Sequence, residues 1–230
     1  MITLLEAIRA RHSVRRYHPQ PLAANAVAAL HSRIAEINAQ TGLHIQLVLN
    51  EPKAFTGILA YGKFSGVSNY LVMAGTANKQ LDENVGYYGE QLVLLAQQLG
   101  LNSCWAGLSY RRIAGTYELL PGEKVACYIA LGYGLTPGVP HKSKTVQQLS
   151  NASADTPPWF EAGVQAAALA PTAINQQKFH FEYLPPCSPT DLPQVVARRG
   201  FSLVGYTEMD LGIARLHFEI GAAPHRFSWQ

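Results

Sequence analysis

The chain has 230 residues, of which 48% are hydrophobic and only 14% charged, with a formal net charge of +3 at pH 7. That length buries a sizeable core in one domain or two fused lobes, and the low charge excludes disorder driven by self-repulsion. No block of like charges appears, so neither nucleic-acid nor membrane-surface binding is expected, whereas local clusters such as Arg9, Arg11, Arg15 and Arg16 suit one small anion.

Leu4, Leu5 and Ile8 stand at helical spacing, which predicts a helix over residues 2–10 that delivers Arg11-His12-Ser13 to a polar turn. A second helix is predicted over 23–39, ending near Gly42, and a strand over 44–49, where HIQLVL favours extended chain. Tyr61 to Gly66 reads as a glycine-rich loop and 69–74 as a buried strand. Residues 82–99 read as a helix whose second half is apolar almost all round, the pattern of a helix set in a core or between lobes, with Gly100 as its stop. A loop over 102–110 and a strand over 124–133 follow. Residues 136–158, rich in Pro, Gly, Ser, Asn and Asp, read as a linker, which divides the chain into lobes at 1–150 and 151–230. A helix over 159–169, a strand over 180–184 and a last helix over 212–219, introduced by Asp210, complete the reading. Gly89-Glu90-Gln91-Leu92 and Leu211-Gly212-Ile213 each read as a helix opening, an internal echo too weak to be a sequence repeat.

The three cysteines are far apart and have no metal-ligand spacing, which disfavours a disulfide scaffold and a metal site. The start MITLLEAIRARHSVRR lacks signal-peptide order and nothing approaches the ~18 apolar residues needed to span a bilayer, so a cytoplasmic location is expected.

Four segments carry candidate chemistry. Arg11, Ser13 and Arg15 alternate guanidinium and hydroxyl donors that can fork around a phosphate, although on spacing alone a solvated basic turn is the favoured account. In extended chain Lys142 and Lys144 point to one side and can meet the same anion; an exposed charged loop is the plainer account. Pro171-Thr172-Ala173-Ile174-Asn175-Gln176-Gln177 stops a helix and lines up small and amide-bearing residues, which suits a planar heterocycle edged with donors and acceptors, or a mere polar connection. In Ser103-Cys104-Trp105-Ala106-Gly107 small residues let backbone N–H groups approach a ligand, while Trp105 fits core packing and Cys104 an inert buried thiol. No Ser/His/Asp or Cys/His arrangement accompanies them, and no G-x-G-x-x-G follows a strand, which disfavours hydrolytic and Rossmann chemistry.

In this order the segments resemble the nitroreductase family, in particular a thermophile-type branch. The resemblance rests on Gly89-Glu90 before an apolar stretch, LGLNSCWAGLSY, GYG followed by GVPHKSK, WFEAGVQAAALAPTAINQQKF and DLGIARLHFEIGA, which together reach across most of the chain. It implies an α+β fold, with a mixed central sheet surrounded by helices, and a non-covalent FMN. Ordinary members carry an Ala-Pro-Ser-x-x-Asn-x-Gln turn early and build the flavin site across a homodimer; here the turn is late, with Thr172 in place of serine. That departure implies a single-chain pseudo-dimer with one flavin, monomeric or a weak homodimer, whose residues 151–230 complete the site.

By the same resemblance Arg11, Ser13 and Arg15 hold the ribityl-phosphate end, Lys142 and Lys144 complete the phosphate pocket, and His12 adds a backbone contact. Pro171, Thr172, Ala173 and Asn175 line the isoalloxazine, Gln176 and Gln177 stand beside them, and the backbone of Trp105, Ala106 and Gly107 faces N5. The implied activity is hydride transfer from NADH or NADPH through the flavin to a nitroaromatic, quinone or similar small acceptor, with no catalytic side chain required. A non-catalytic FMN-binding storage or sensing protein is the alternative. Flavin destruction or halogen removal, known in relatives, is disfavoured because no lid insertion is evident.

Overall fold

The computed structural model describes residues 1–56, 63–188 and 190–230. Of the loop expected over 61–66, Tyr61 and Gly62 lie outside the described residues. Thr3 and Glu6 cap each other reciprocally, which starts α1 at Leu4–Ala10. Helix α2, Ala24–Thr41, buries Ala26, Leu30, Ile34 and Ile37 as one stripe against the first sheet.

That sheet has the order β1-β2-β4-β3, from β1 (Gln46–Val48), β2 (Asn69–Thr76), β3 (Asn102–Ala106) and β4 (Glu123–Gly132), all antiparallel. The parallel Ser13–Ser103 bridge lays the segment after α1 along β3, and a second parallel bridge joins Arg16 to Ser65. Both faces of β2 and β4 are covered, which is why they read as continuous apolar runs: Leu71, Met73 and Ile129 face α2 and α3 (Leu81–Gln98), while Tyr70, Val72 and Tyr128 face a second cluster with Val14, Tyr17 and Phe55.

The expected loop over 102–110 is corrected in its first half. Residues 102–106 form β3, in register from Asn102 opposite Gly132 to Ala106 opposite Tyr128, and the small residues Ser103, Cys104 and Ala106 are buried where neighbouring chain closes in. The expected linker is also corrected. Within it α4, Val146–Leu149, carries a Thr145–Gln148 capping box, and Leu149 and Ser150 are buried against β5. Beyond it come α5 (Pro158–Ala167) and a three-stranded sheet of β5 (Phe179–Leu184), β6 (Gln194–Arg199) and β7 (Ser228–Trp229), in which β6 and β7 run parallel. Strands β6 and β7 escaped the sequence reading because QVVARR is half polar and β7 is two residues long.

The last helix is longer than expected. Helix α6 runs Thr207–Ala222, with Gly212 and Gly221 masking its extent by their poor helix propensity, and Asp210 sits inside its first turn rather than capping it. Gly89-Glu90 and Gly212 do not open helices; they lie within α3 and α6, which pack on each other. The contact is reciprocal: a Cβ on Gly86 would come 2.0 Å from the Met209 carbonyl, and a Cβ on Gly212 2.1 Å from the Glu83 carbonyl. Each glycine thus meets the residue three before its counterpart. Because both obstacles are backbone, Gly212→Ala must push the helices apart. Chemical denaturation should show a loss of about 2–4 kcal/mol, at or above the usual overpacking range; an unchanged midpoint would mean that α3 and α6 are not held this close.

Candidate active site

A cavity of ≈ 410 Å³ opens between the end of β3, the turn after α5 and the start of α6. It brings together Ser13 and Arg15 from the N-terminal segment, Trp105, Ala106 and Gly107 from β3 and its continuation, and Pro171, Thr172 and Ala173 from the turn. Three of the four sequence segments, up to 160 residues apart by number (13 to 173), therefore converge. Tyr206, Met209, Asp210 and Ile213 also line the cavity; Asp210 and Ile213 belong to the DLGIARLHFEIGA stretch, but none of the four is among the site residues expected from the sequence. The Tyr206 ring lies so close to Gly107 that a Cβ there would stand 2.6 Å from it.

Burial raises the Cys104 thiol above its ordinary range, against the lowering influence of the nearby Arg15, Ser13 and Arg11 side chains. Arg11 is 4% exposed. Its Nη1 makes one long bond, 3.4 Å, to the Leu169 carbonyl, its Nε has no partner, and no carboxylate pairs with it among the described residues. His141 Nε2 lies 3.3 Å from the same carbonyl, and His12 is held below its ordinary value by burial and then by Arg11 and His141. Arg11, His12 and His141 thus gather around one carbonyl end, with no carboxylate paired to Arg11 among the described residues.

The lysines meet the turn. Lys144 Nζ donates to the carbonyls of Gln176 and Gln177, at 3.3 and 2.7 Å, which leaves one of its three donors uncommitted. The exposed Lys142 contributes its carbonyl, which accepts from Asn175 Nδ2 and Gln177 Nε2 at 2.8 and 2.9 Å. Lys142, Lys144, Asn175 and Gln177 thus clamp the turn from outside the cavity.

The clamp opposes strain. Among the described residues five non-glycine residues have positive φ, and four belong to this site: Ile174 (47°), Asn175 (59°), Gln177 (45°) and Tyr206 (62°). Each costs roughly 1–2 kcal/mol, most for a β-branched residue such as Ile174, and such clusters persist only where surrounding contacts over-determine them.

From the cavity side the turn is held by Asp210, 2% exposed, which accepts from Ala173 N at 2.9 Å and Gln176 Nε2 at 2.7 Å. Burial pushes its carboxyl from 3.8 up to about 6, against the two hydrogen bonds, which lower it. The folded value lies above the unfolded one, so the group's stabilising contribution is full below pH about 4 and is lost as pH rises through about 6. Asp210→Asn abolishes that loss. Urea unfolding across this window should move the difference between variant and parent in the variant's favour by about 2–3 kcal/mol as pH rises; a constant difference would refute it. A carboxylate kept ionised at neutral pH at the expense of stability is characteristic of a functional site.

Behind β3, Trp105 Nε1 donates to Glu90 Oε2 at 3.0 Å, and Glu90 Oε1 lies 2.9 Å from His217 Nε2. Glu90 and His217 are both 0% exposed, and Trp105 packs against both main cores. The network fixes the strand whose backbone walls the cavity. Among the described residues no group of His, Cys, Asp and Glu is arranged to hold a metal, and no helix is long and apolar enough to cross a membrane.

Comparison with solved structures returns the same architecture at low identity. A "putative nitroreductase" from Thermotoga maritima superposes with a TM-score of 0.64 at 19% identity, covering 96% of this chain and 83% of the other. A nitroreductase-like protein from Streptococcus mutans gives 0.53 at 16% identity, covering 65% and 97%. A "putative nitroreductase in complex with FMN" from Desulfovibrio desulfuricans gives 0.50 at 21% identity, covering 65% and 96%. No curated protein matches the chain. The family model described as "Putative TM nitroreductase" matches residues 3–222, nearly the whole sequence, and the chain belongs to that nitroreductase family.

Proposed function

We propose that the chain holds one FMN between β3, the Pro171–Gln177 turn and the start of α6, and that it moves electrons from NADH or NADPH to a small electron-poor acceptor such as a nitroaromatic or quinone. The observation that carries this reading is Arg11, a buried guanidinium with an unpartnered Nε and no paired carboxylate among the described residues, two residues before the cavity-lining Ser13. A buried cation without a partner is costly, and a phosphate supplies the oxygens that satisfy it. The FMN held by the Desulfovibrio desulfuricans structure on the same fold supports the choice of anion.

In this reading Arg11, Ser13 and Arg15, with His12 beside them, bind the ribityl-phosphate end. Lys142 and Lys144 complete that end and hold the turn. Pro171, Thr172, Ala173 and Asn175 present the turn's face to the isoalloxazine, and the backbone from Trp105 to Gly107 forms the opposite wall. Bound FMN supplies hydride acceptance and donation at N5, so the chain needs only to orient the ring, exclude water and place positive charge.

The reciprocal α3–α6 contact supports a further part of the proposal. One chain, with lobes at 1–150 and 151–230, does the work that ordinary members divide between two subunits, and it acts as a monomer or weak homodimer. Three free cysteines suit a reducing cytoplasm, the compartment that also provides the nicotinamide.

The test is an absorbance spectrum of the purified protein followed by anaerobic addition of each nicotinamide. Flavin absorbance that bleaches is the expected result. A protein that stays colourless with excess FMN overturns the proposal, and one that binds FMN without bleaching is a storage or sensing module.

A further inference from the structure

The loop before α4 carries a titratable side chain that the flavin reading leaves unused. His141 is part-buried and stands between two carbonyls: its Nε2 lies 3.3 Å from the Leu169 oxygen and its Nδ1 3.4 Å from the Lys142 oxygen. A carbonyl only accepts, and a neutral imidazole has one N–H and one lone pair. Either neutral tautomer therefore turns a lone pair towards an oxygen. Only the imidazolium donates at both ends.

That form meets opposition in the same place. The Leu169 oxygen already accepts from Arg11 Nη1 at 3.4 Å, so a protonated His141 sets two cations on one oxygen. Arg11 is 4% exposed and its Nε has no partner, and neither residue is paired with a carboxylate among the described residues. The neighbouring groups supply no negative charge. His12, from the segment after α1, is held below its ordinary value by burial first and then by Arg11 and His141, so above pH 7 it stays neutral. Lys142 and Lys144, on the loop itself, add positive charge, and the turn brings the amides of Asn175 and Gln177 to the Lys142 carbonyl. The acid of the turn, Asp210, is engaged by Ala173 and Gln176. The loop thus offers acceptors for an imidazolium and lacks the anion that would keep it charged.

Resting on the flavin reading above, we infer that His141 is a proton-linked anchor of the cofactor: it takes up a proton from solvent when the FMN phosphate arrives beside Arg11, and returns it when FMN leaves. The phosphate supplies the negative charge that both cations lack, and the coupling is reciprocal, so bound FMN favours the protonated ring as much as the protonated ring favours FMN. No bond of the flavin is made or broken. The sign follows directly. Raising the pH withdraws the proton and weakens binding, by up to about tenfold per pH unit for one linked proton. Below about pH 7 the phosphate's own second ionisation opposes this trend, and Asp210 titrates as well, so the range above pH 7 isolates His141.

The experiment is calorimetric titration of the flavin-free full chain with FMN at pH 7.5, in two buffers of different ionisation enthalpy, together with FMN dissociation constants from pH 7 to 9. The parent should take up as much as about one proton per FMN, and its dissociation constant should rise roughly tenfold across the range. Riboflavin, which lacks the phosphate, should bind without proton uptake. His141→Gln keeps a donor for the Leu169 oxygen and so preserves the fold, but both the uptake and the pH dependence should vanish; His141→Arg should hold FMN tightly at pH 9, again without uptake. A role confined to structure would instead lower affinity equally at every pH and leave the proton count unchanged. No uptake in the parent, uptake that survives His141→Gln, or uptake lost in His12→Gln alone overturns the inference. Failure of the parent to bind FMN at all sinks the flavin reading, whereas FMN binding without a linked proton sinks only this one.

Discussion

Replacing Arg11 with methionine should stabilise the flavin-free protein and weaken its hold on FMN, two effects of opposite sign from one substitution. The guanidinium is 4% exposed, with one bond of 3.4 Å and, among the described residues, no paired carboxylate. A charge in that position opposes folding, and an unbranched apolar side chain of similar length removes the penalty while still filling the space between α1 and Leu169. The apo-protein should gain about 1–2 kcal/mol in chemical denaturation, by analogy with buried charges replaced by apolar residues. With FMN present the same substitution removes a charge-assisted contact of about 1.5–3 kcal/mol, so the dissociation constant measured by flavin fluorescence should rise roughly 10- to 100-fold. Lys144→Ala should also weaken FMN, but through the turn whose carbonyls its ammonium holds, and it should destabilise the apo-protein rather than stabilise it. If Arg11→Met leaves FMN affinity unchanged, the phosphate does not sit there.

The sequence made the basic half of this site legible and the acidic half invisible, for a physical reason. Arg11, Ser13 and Arg15 are close in the chain, and their alternation of guanidinium and hydroxyl donors is a local pattern that marks them as candidates for one anion. Asp210 and Tyr206 reach the cavity only because α6 packs against α3, a tertiary contact that no local pattern encodes. The hold of Lys144 on the turn was hidden in the same way, since the carbonyls it meets are more than thirty residues away. The left-handed conformation at Ile174 ran against residue preference and was unreadable by propensity. In the fold, β2, β4 and α3 were legible because long, uniformly apolar or periodic runs outweigh context. Strand β3 was not, because small residues that fit under a neighbouring segment look like a ligand loop when the neighbour is unknown.

Removing the Glu90 carboxylate should cost more stability than any other single substitution at this site. His217 Nδ1 lies 3.2 Å from the Ala166 carbonyl, which can only accept, so Nδ1 carries its hydrogen. His217 Nε2 and Glu90 Oε1 then share one proton at 2.9 Å, while Glu90 Oε2 accepts from Trp105. Glu90→Ala leaves an indole N–H and an imidazole nitrogen buried with no partner, and should destabilise by about 3–5 kcal/mol. Glu90→Gln is the discriminating control. Its carbonyl can still accept from Trp105 and its NH₂ can donate to a neutral imidazole, so the loss should be only about 1 kcal/mol. A Glu90→Ala/His217→Ala cycle should show a coupling of about 1–3 kcal/mol, because the second truncation removes a group already orphaned by the first. The functional consequence travels through Trp105, which anchors the end of β3 where its backbone becomes the cavity wall. In Glu90→Ala that wall loses its anchor, so FMN affinity should fall together with stability and the tryptophan emission should shift. Equal stability losses in Glu90→Ala and Glu90→Gln would show that the charge itself holds these elements together, and would remove the hydrogen-bond account of the network.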